Sequence, residues 1–234
     1  MYFVGAGRGL DYDSSVTVGE FVATHDFWTP FRHQVVFNNH PLFSFVDHLI
    51  YLAGGRSELA LTVVPVLCGA VGAGVLAGWV TERSSPVEGF VAGTLLAANP
   101  AYAELSRSVR GYSMMTLGVI GATLIVDRLS GRRSFVLSTG YVLCVAGALA
   151  THLYAGLALV AHGAVVLARR ELLPPWIVRW AAALVLGLAP YTFIASSMLE
   201  AARLRPKVFH AEFPEQVTQV ALGVEPVAVS ALLP

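Results

Sequence analysis

Six stretches of this chain are so apolar, and so evenly spaced, that few folds can accommodate them. They are Leu59–Val80, Pro86–Ala103, Gly111–Val126, Ser134–Ala150, His152–Ala168 and Trp176–Ala195. A helix that crosses about 30 Å of hydrocarbon needs roughly 20 mostly apolar residues, each rising about 1.5 Å. Some of the six are short for that task. Brief linkers such as TERSSP and DRLSGRR separate several of them. Composition points the same way: 56% of residues are hydrophobic and only 13% charged, against roughly 25% charged in soluble domains. The expectation is an all-α, polytopic membrane helical bundle of about six spanning helices. The uncharged turn at Thr151 is so tight that its two helices are expected to form an antiparallel hairpin. Glycines within the first span, Gly69, Gly72, Gly74 and Gly78, would allow neighbouring helices to approach closely.

The charges set an orientation. Arg83, then Arg128, Arg132 and Arg133, then Arg169, Arg170 and Arg179 fall at alternate connections, and basic loops face the cytoplasm. The raw count of Lys and Arg is no smaller at the other connections. Those connections, however, carry most of the acids: Asp11, Asp13, Glu20, Asp26, Asp47, Glu58, Glu104, Glu200, Glu212 and Glu215. Three regions follow. Residues 1–58 are expected to form an outer (periplasmic or extracellular) loop with interfacial helices, 59–195 the transmembrane bundle, and 196–234 an outer loop or a truncated C-terminal segment. The expected location is a cell membrane, multi-pass, with the polar face outside. An outer N-terminal region needs a crossing ahead of it, and MYFVGAGRGL lacks the basic start and apolar core of a signal peptide. A further apolar helix is therefore expected upstream of Met1. Formal net charge is zero, without a basic tract, which argues against a nucleic-acid partner. Cys68 and Cys144 both lie in apolar runs and suggest neither a disulfide nor a metal site.

Ionisable groups at membrane depth are costly and usually functional. In this chain they gather on the outer side, in DYDSSVTV (11–18), NNHP (38–41), ELSRSVRGYS (104–113) and THLYA (151–155). Asp13 is a candidate general base, able to take a proton from a hydroxyl; the plainer reading is a solvated acid or a helix N-cap. Asp11 has the same two readings. Arg110 suits a lipid phosphate, because guanidinium grips phosphate oxygens in pairs; with Tyr112 it equally suits an interfacial anchor. Arg107 lies one helical turn earlier and would point the same way, while Glu104 would meet Arg107 or solvent. His152 opens a span, as a polar contact for a substrate or as a cap. His162, in mid-span, reads as a packing histidine. His25, His33 and His210 show no metal-ligand spacing, and His40 and His48, eight apart, make a poor metal pair. No cofactor is established by these residues; a divalent metal stays open, without a ligand set to support it.

The order of these clusters carries a resemblance. DYDSSVTV is similar to a W-L-D-E-A-x-T-V pattern, with Asp13 at its Asp and Thr17–Val18 at its end. His40–Pro41–Leu42–Phe43 is similar to H-P-P-L-Y, and Gly55–Arg56–Ser57–Glu58 to G-x-S-E. Ser106–Arg107–Ser108–Val109–Arg110–Gly111–Tyr112 resembles S-x-E-A-R-x-Y, and Thr151–His152–Leu153–Tyr154 resembles T-H-Y. Together, from about residue 11 to 170, they resemble the N-terminal half of GT-C membrane glycosyltransferases. The likeness is to the protein mannosyltransferase and aminoarabinose-transferase-like group, glycosyltransferase family 39 and relatives. The resemblance implies a sugar carried on a polyprenyl phosphate, membrane lipid as the medium, and an acceptor hydroxyl on a glycan, lipid or protein. It implies inversion at the anomeric carbon, Asp13 as base, and a donor-phosphate or substrate site drawn from Arg110, Tyr112, His152, His40, Asn39 and Arg107. The pattern departs at Ser14 and Ser108, where the family has Glu, and at Leu42, where it has a second Pro. The alternatives are a polytopic transporter and a non-catalytic, truncated membrane protein.

FNNHPLFSFVDHLIY (37–51) is too polar and short to cross and too apolar for a loop. It is expected to be a helix over 41–53 lying along the outer interface, with Pro41 in its first turn. Phe43, Phe45, Val46, Leu49 and Ile50 would face lipid or the bundle, and Asp47 would face water. Asn38, Asn39 and His40 would stand at its start, near the cavity that takes Asp13.

Overall fold

Helix boundaries in this chain follow its capping residues. The computed structural model describes residues 9–33, 39–129, 134–171, 173–196, 198 and 199, and among them the regular elements are helices, with no strand. Asp11 caps α1 (Tyr12–Thr17) by accepting from the Ser14 N–H at 2.7 Å, and a π turn, Val18–Val22, continues it. Next come α2 (Thr29–Arg32), α3 (Pro41–Leu52) with Pro41 in its first turn, and α4 (Glu58–Leu61), capped by Ser57. The elements that follow are α5 (Val63–Arg83), α6 (Pro86–Ala98), the short α7 (Pro100–Leu105), α8 (Tyr112–Leu129), α9 (Phe135–Thr151), α10 (Gly156–Ala168) and α11 (Leu173–Leu188). Ser85, Asn99 and Ser134 each accept a hydrogen bond from the backbone three residues on, the usual N-cap device.

All six apolar stretches are helical, and three are long and apolar enough to cross a membrane: Glu58–Arg83, Tyr112–Leu129 and Leu173–Phe193. The second stretch is broken: Asn99 ends α6 and caps α7, with Pro100 in the first turn of the new helix. The outward surface is apolar. Phe90, Leu95, Leu157, Val160, Val178 and Val185 are each at least 67% exposed, an arrangement suited to hydrocarbon and rare over such an area in water.

The helices pack in a row, α6 on α5, α5 on α8, α8 on α9 and α9 on α11. Gly69 and Gly72 let α7 approach α5: a Cβ on Gly69 would stand 2.4 Å from the Ser106 hydroxyl, and one on Gly72 2.6 Å from that of Tyr102. Gly74 and Gly78 face open space. The turn after Thr151 does not produce the close hairpin expected. α9 lies along α8 and α11, while α10 stands further off and meets them through large side chains. His162 is one of these, bonded to Thr123 Oγ1 at 3.1 Å and Tyr141 Oη at 3.2 Å. It is a packing histidine with both nitrogens engaged.

The bundle has two distinct ends. At one, Asp127 of α8 pairs with Arg83 of α5 and, at 3.4 Å, with Arg169 beyond α10, while Arg128 pairs with Glu82 at 2.5 Å. At the other lie the start of α8, the end of α9 and residues 9–33 and 39–57. Val22, Phe43, Leu61 and Val109 form a small core there that fastens the N-terminal segment to the bundle. Arg132 and Arg133, the upstream helix and the segment from 200 lie outside the described residues.

Candidate functional site

Four chain-distant pieces meet over that small core. α1 brings Asp13, the residue ahead of α3 is His40, Arg110 and Tyr112 open α8, and His152 follows α9. Arg110 is the centre. Its Nη1–H donates to Asp13 Oδ2 at 2.6 Å, and its Nε–H points at His40 Nε2 at 3.3 Å. Its guanidinium carbon lies 4.8 Å from the Tyr112 ring centroid, a cation–π arrangement. The Arg110 side chain is 14% exposed and that of Asp13 is 50% exposed. The cation is thus held within the fold and the carboxylate stands at the rim.

Histidine chemistry is set by burial. His40 is 1% exposed. Burial, then the nearby His152 and the Arg110 charge, hold its imidazole well below the usual histidine range, with the Thr151 backbone acting weakly in the opposite sense. His40 is therefore neutral at pH 7, and its Nε2 serves as an acceptor for Arg110. His152 is also lowered, by burial and then by Arg110. Its Nδ1 accepts from the Tyr154 N–H at 3.1 Å, so the neutral ring carries its proton on Nε2. The capping reading of His152 holds, and the ring also joins an aromatic cluster. Its centroid is 4.9 Å from that of His40, 5.4 Å from Tyr112 and 4.6 Å from Tyr154.

Asp11, rather than Asp13, provides the helix cap, which leaves the Asp13 carboxylate to Arg110. The two departures from the glutamate pattern, Ser14 and Ser108, prove to be neighbours, with their hydroxyls 3.1 Å apart. Both donate to Asp11 Oδ2, at 2.9 and 3.3 Å, and Ser14 Oγ accepts the Val109 N–H at 3.0 Å. This bridge ties α1 to the turn that precedes α8. Glutamates at both positions would set three carboxylates together. As it stands, one carboxylate and two hydroxyls are a poor set for a hard divalent cation, which takes six or more oxygen ligands, carboxylates prominent among them. Among the described residues no group of three or more His, Cys, Asp or Glu side chains is placed to hold a metal ion.

Two candidates sit apart from this cluster. Asn39 donates to the Pro30 and His33 carbonyls at 2.8 and 3.1 Å and accepts from Ser44 Oγ at 3.0 Å, so it shapes the turn into α3. Arg107 pairs with Glu104; α7 ends at Leu105 and residues 106–111 are turns, so no shared helix aligns it with Arg110. Asn38 lies outside the described residues. Gly111 was not a candidate, yet the site depends on it: a Cβ there would stand 2.3 Å from Thr151 Cγ2, 3.0 Å from Phe43 Cβ and 3.3 Å from His40 Cβ.

α3 corrects one expectation. Asp47 does not face water; it is fully buried, with neither carboxylate oxygen hydrogen-bonded. Burial pushes its pKa up to about 8, so the carboxyl is largely protonated at neutral pH. Leu49 and Leu52 of the same helix are 42% and 51% exposed. The helix turns Ser44, Asp47 and His48 inward together with Phe43.

Comparison with known protein families, curated proteins and solved structures yields no match.

Proposed function

We propose that the protein is a multi-pass GT-C-type membrane glycosyltransferase that moves a sugar from a polyprenyl-phosphate donor to an acceptor hydroxyl at the outer face of a cell membrane. The observation that carries this reading is the convergence of Asp13, His40, Arg110, Tyr112 and His152, from four distant pieces of chain, at one end of an apolar bundle. Such a position suits a substrate with its chain in lipid and its head at the surface.

In the proposed reaction the acceptor oxygen attacks the anomeric carbon from the side opposite the phosphate. The new C–O bond forms as the sugar–phosphate C–O bond breaks, with inversion. The acceptor proton passes to Asp13, and the electron pair leaves with the phosphate, whose growing charge Arg110 offsets. A preorganised cation aimed at developing charge is the strongest catalytic device available to such a site, and a phosphate leaving group needs no strong acid. His40, buried, acts through Arg110 as a positioning residue. The His152 Nε2–H and the Tyr112 hydroxyl are the polar contacts near the rim.

The test is sugar transfer in membranes carrying the protein, with a panel of radiolabelled polyprenyl-phosphate sugars. Asp13→Asn is expected to lower transfer by about 10²–10⁴-fold with membrane insertion unchanged. Undiminished transfer would remove Asp13 as base. Solute flux in sealed vesicles without transfer would favour the transporter.

A further inference from the structure

We propose that Arg110 is a clamp with two partners: the donor's phosphate takes the guanidinium edge that Asp13 holds in the structure, so that seating the donor releases the base, and the acceptor is activated only afterwards. This rests on the transferase reading of the same site and adds to it an order of events.

Three observations carry it. First, the cation is fixed while its partner is mobile in principle. The guanidinium is backed by the fully buried His40 and by the Tyr112 ring, whereas Asp13 reaches it from the rim, half-exposed. Second, the Asp13 carboxylate can leave without moving its helix. α1 is anchored by the Asp11–Ser14–Ser108 bridge and the Val109 N–H, none of which uses the Asp13 side chain. Third, the residue backing Arg110 is neutral. His40 accepts a hydrogen bond without cancelling the charge, so the clamp keeps its full attraction for an anion.

The exchange is chemically favourable. A guanidinium binds two phosphate oxygens at once, and the phosphate brings its charge to the edge where Nη1 meets Asp13. While Asp13 Oδ2 accepts from Arg110 that oxygen is occupied, and release turns it to the acceptor hydroxyl. The donor is a phosphodiester with one negative charge. The departing polyprenyl phosphate is a monoester and carries more, so Arg110 grips the leaving group more strongly as the bond breaks, which is the differential binding catalysis requires.

Competition for one cation predicts that removing the competitor tightens phosphate binding. The experiment measures binding of a short-chain polyprenyl phosphate, without sugar, to the full chain in lipid nanodiscs. Asp13→Asn is expected to bind it at least about 5-fold more tightly than the unaltered protein, the lower end of typical coupling between sites. In an Arg110→Gln background the same Asp13→Asn change is expected to have no such effect; Arg110→Met serves where Arg110→Gln fails to insert. Equal or weaker binding by Asp13→Asn overturns the clamp while leaving the transferase standing. Tightening that persists undiminished without Arg110 also overturns it, since that is simple charge repulsion. If the unaltered protein shows no saturable binding, the transferase reading itself falls and takes the clamp with it.

Discussion

Two aspartates, two positions apart, take different roles because a helix starts between them. Asp11 is the N-cap, its carboxylate spent on the Ser14 N–H and hydroxyl, and Asp13, one residue inside the first turn, is turned toward Arg110. A third aspartate, Asp47, is set by burial alone and carries a pH dependence. Folded, it keeps its proton up to about pH 8; unfolded, it releases it near its ordinary value of 3.8. Between these values the folded chain holds one more proton at Asp47, so the Asp47 contribution to stability is greatest below about pH 4, declines as pH rises through the window to about 8, and levels off above it. Asp47→Asn removes that slope. Thermal unfolding in detergent should show the variant's Tm gaining on the unaltered protein by at least about 3 °C between pH 5 and pH 8.5. An unchanged slope in the variant would mean that Asp47 is not the group responsible.

At the scale of elements, the site is made by the closeness of the start of α8 to the end of α9. Gly111 permits it, lying against Thr151, Phe43 and His40. Gly111→Ala should force these elements apart at a cost of about 1–3 kcal/mol and lower transfer strongly, because Arg110 and Tyr112 flank the position. Thr151→Ser removes the offending methyl while keeping the hydroxyl bond to the Gly147 carbonyl at 2.8 Å. It should restore most of the lost stability and transfer to the Gly111→Ala protein. No recovery in the double variant, read by Tm and by transfer, would place the damage elsewhere. α3 makes a related point about elements. Its boundaries follow from Pro41 and the apolar run. Its facing follows from packing: Asp47 lies one turn after Phe43, and both are buried against the bundle.

For the whole molecule, the decisive property is that the bundle has two chemically different ends, joined by helices of membrane length. α5 alone is roughly 30 Å long, with Ala53 ahead of it and Ser84 after it, both exposed. With Cys68 and Cys144 replaced, Ala53→Cys should react with an impermeant maleimide on intact cells, and Ser84→Cys only after permeabilisation. Labelling of both from one side would mean that α5 does not cross. The helical class, the six apolar stretches and the Pro41 helix start could be read from the chain, because hydropathy and Pro signals act over a few residues; the Ser85, Asn99 and Ser134 caps emerged with the structure. The Arg110–Asp13 pair, the buried neutral His40, the Ser14–Ser108 bridge and the service of Asn39 and Arg107 elsewhere could not be read from the chain. Each depends on contacts between segments up to 97 residues apart, or on the solvent a face meets. Composition and hydropathy alone therefore determined a helical, membrane-suited chain with its polar groups in a few clusters between apolar stretches. Only the tertiary structure decided which of those groups touch, since burial and pairing arise when distant segments pack and have no local signature.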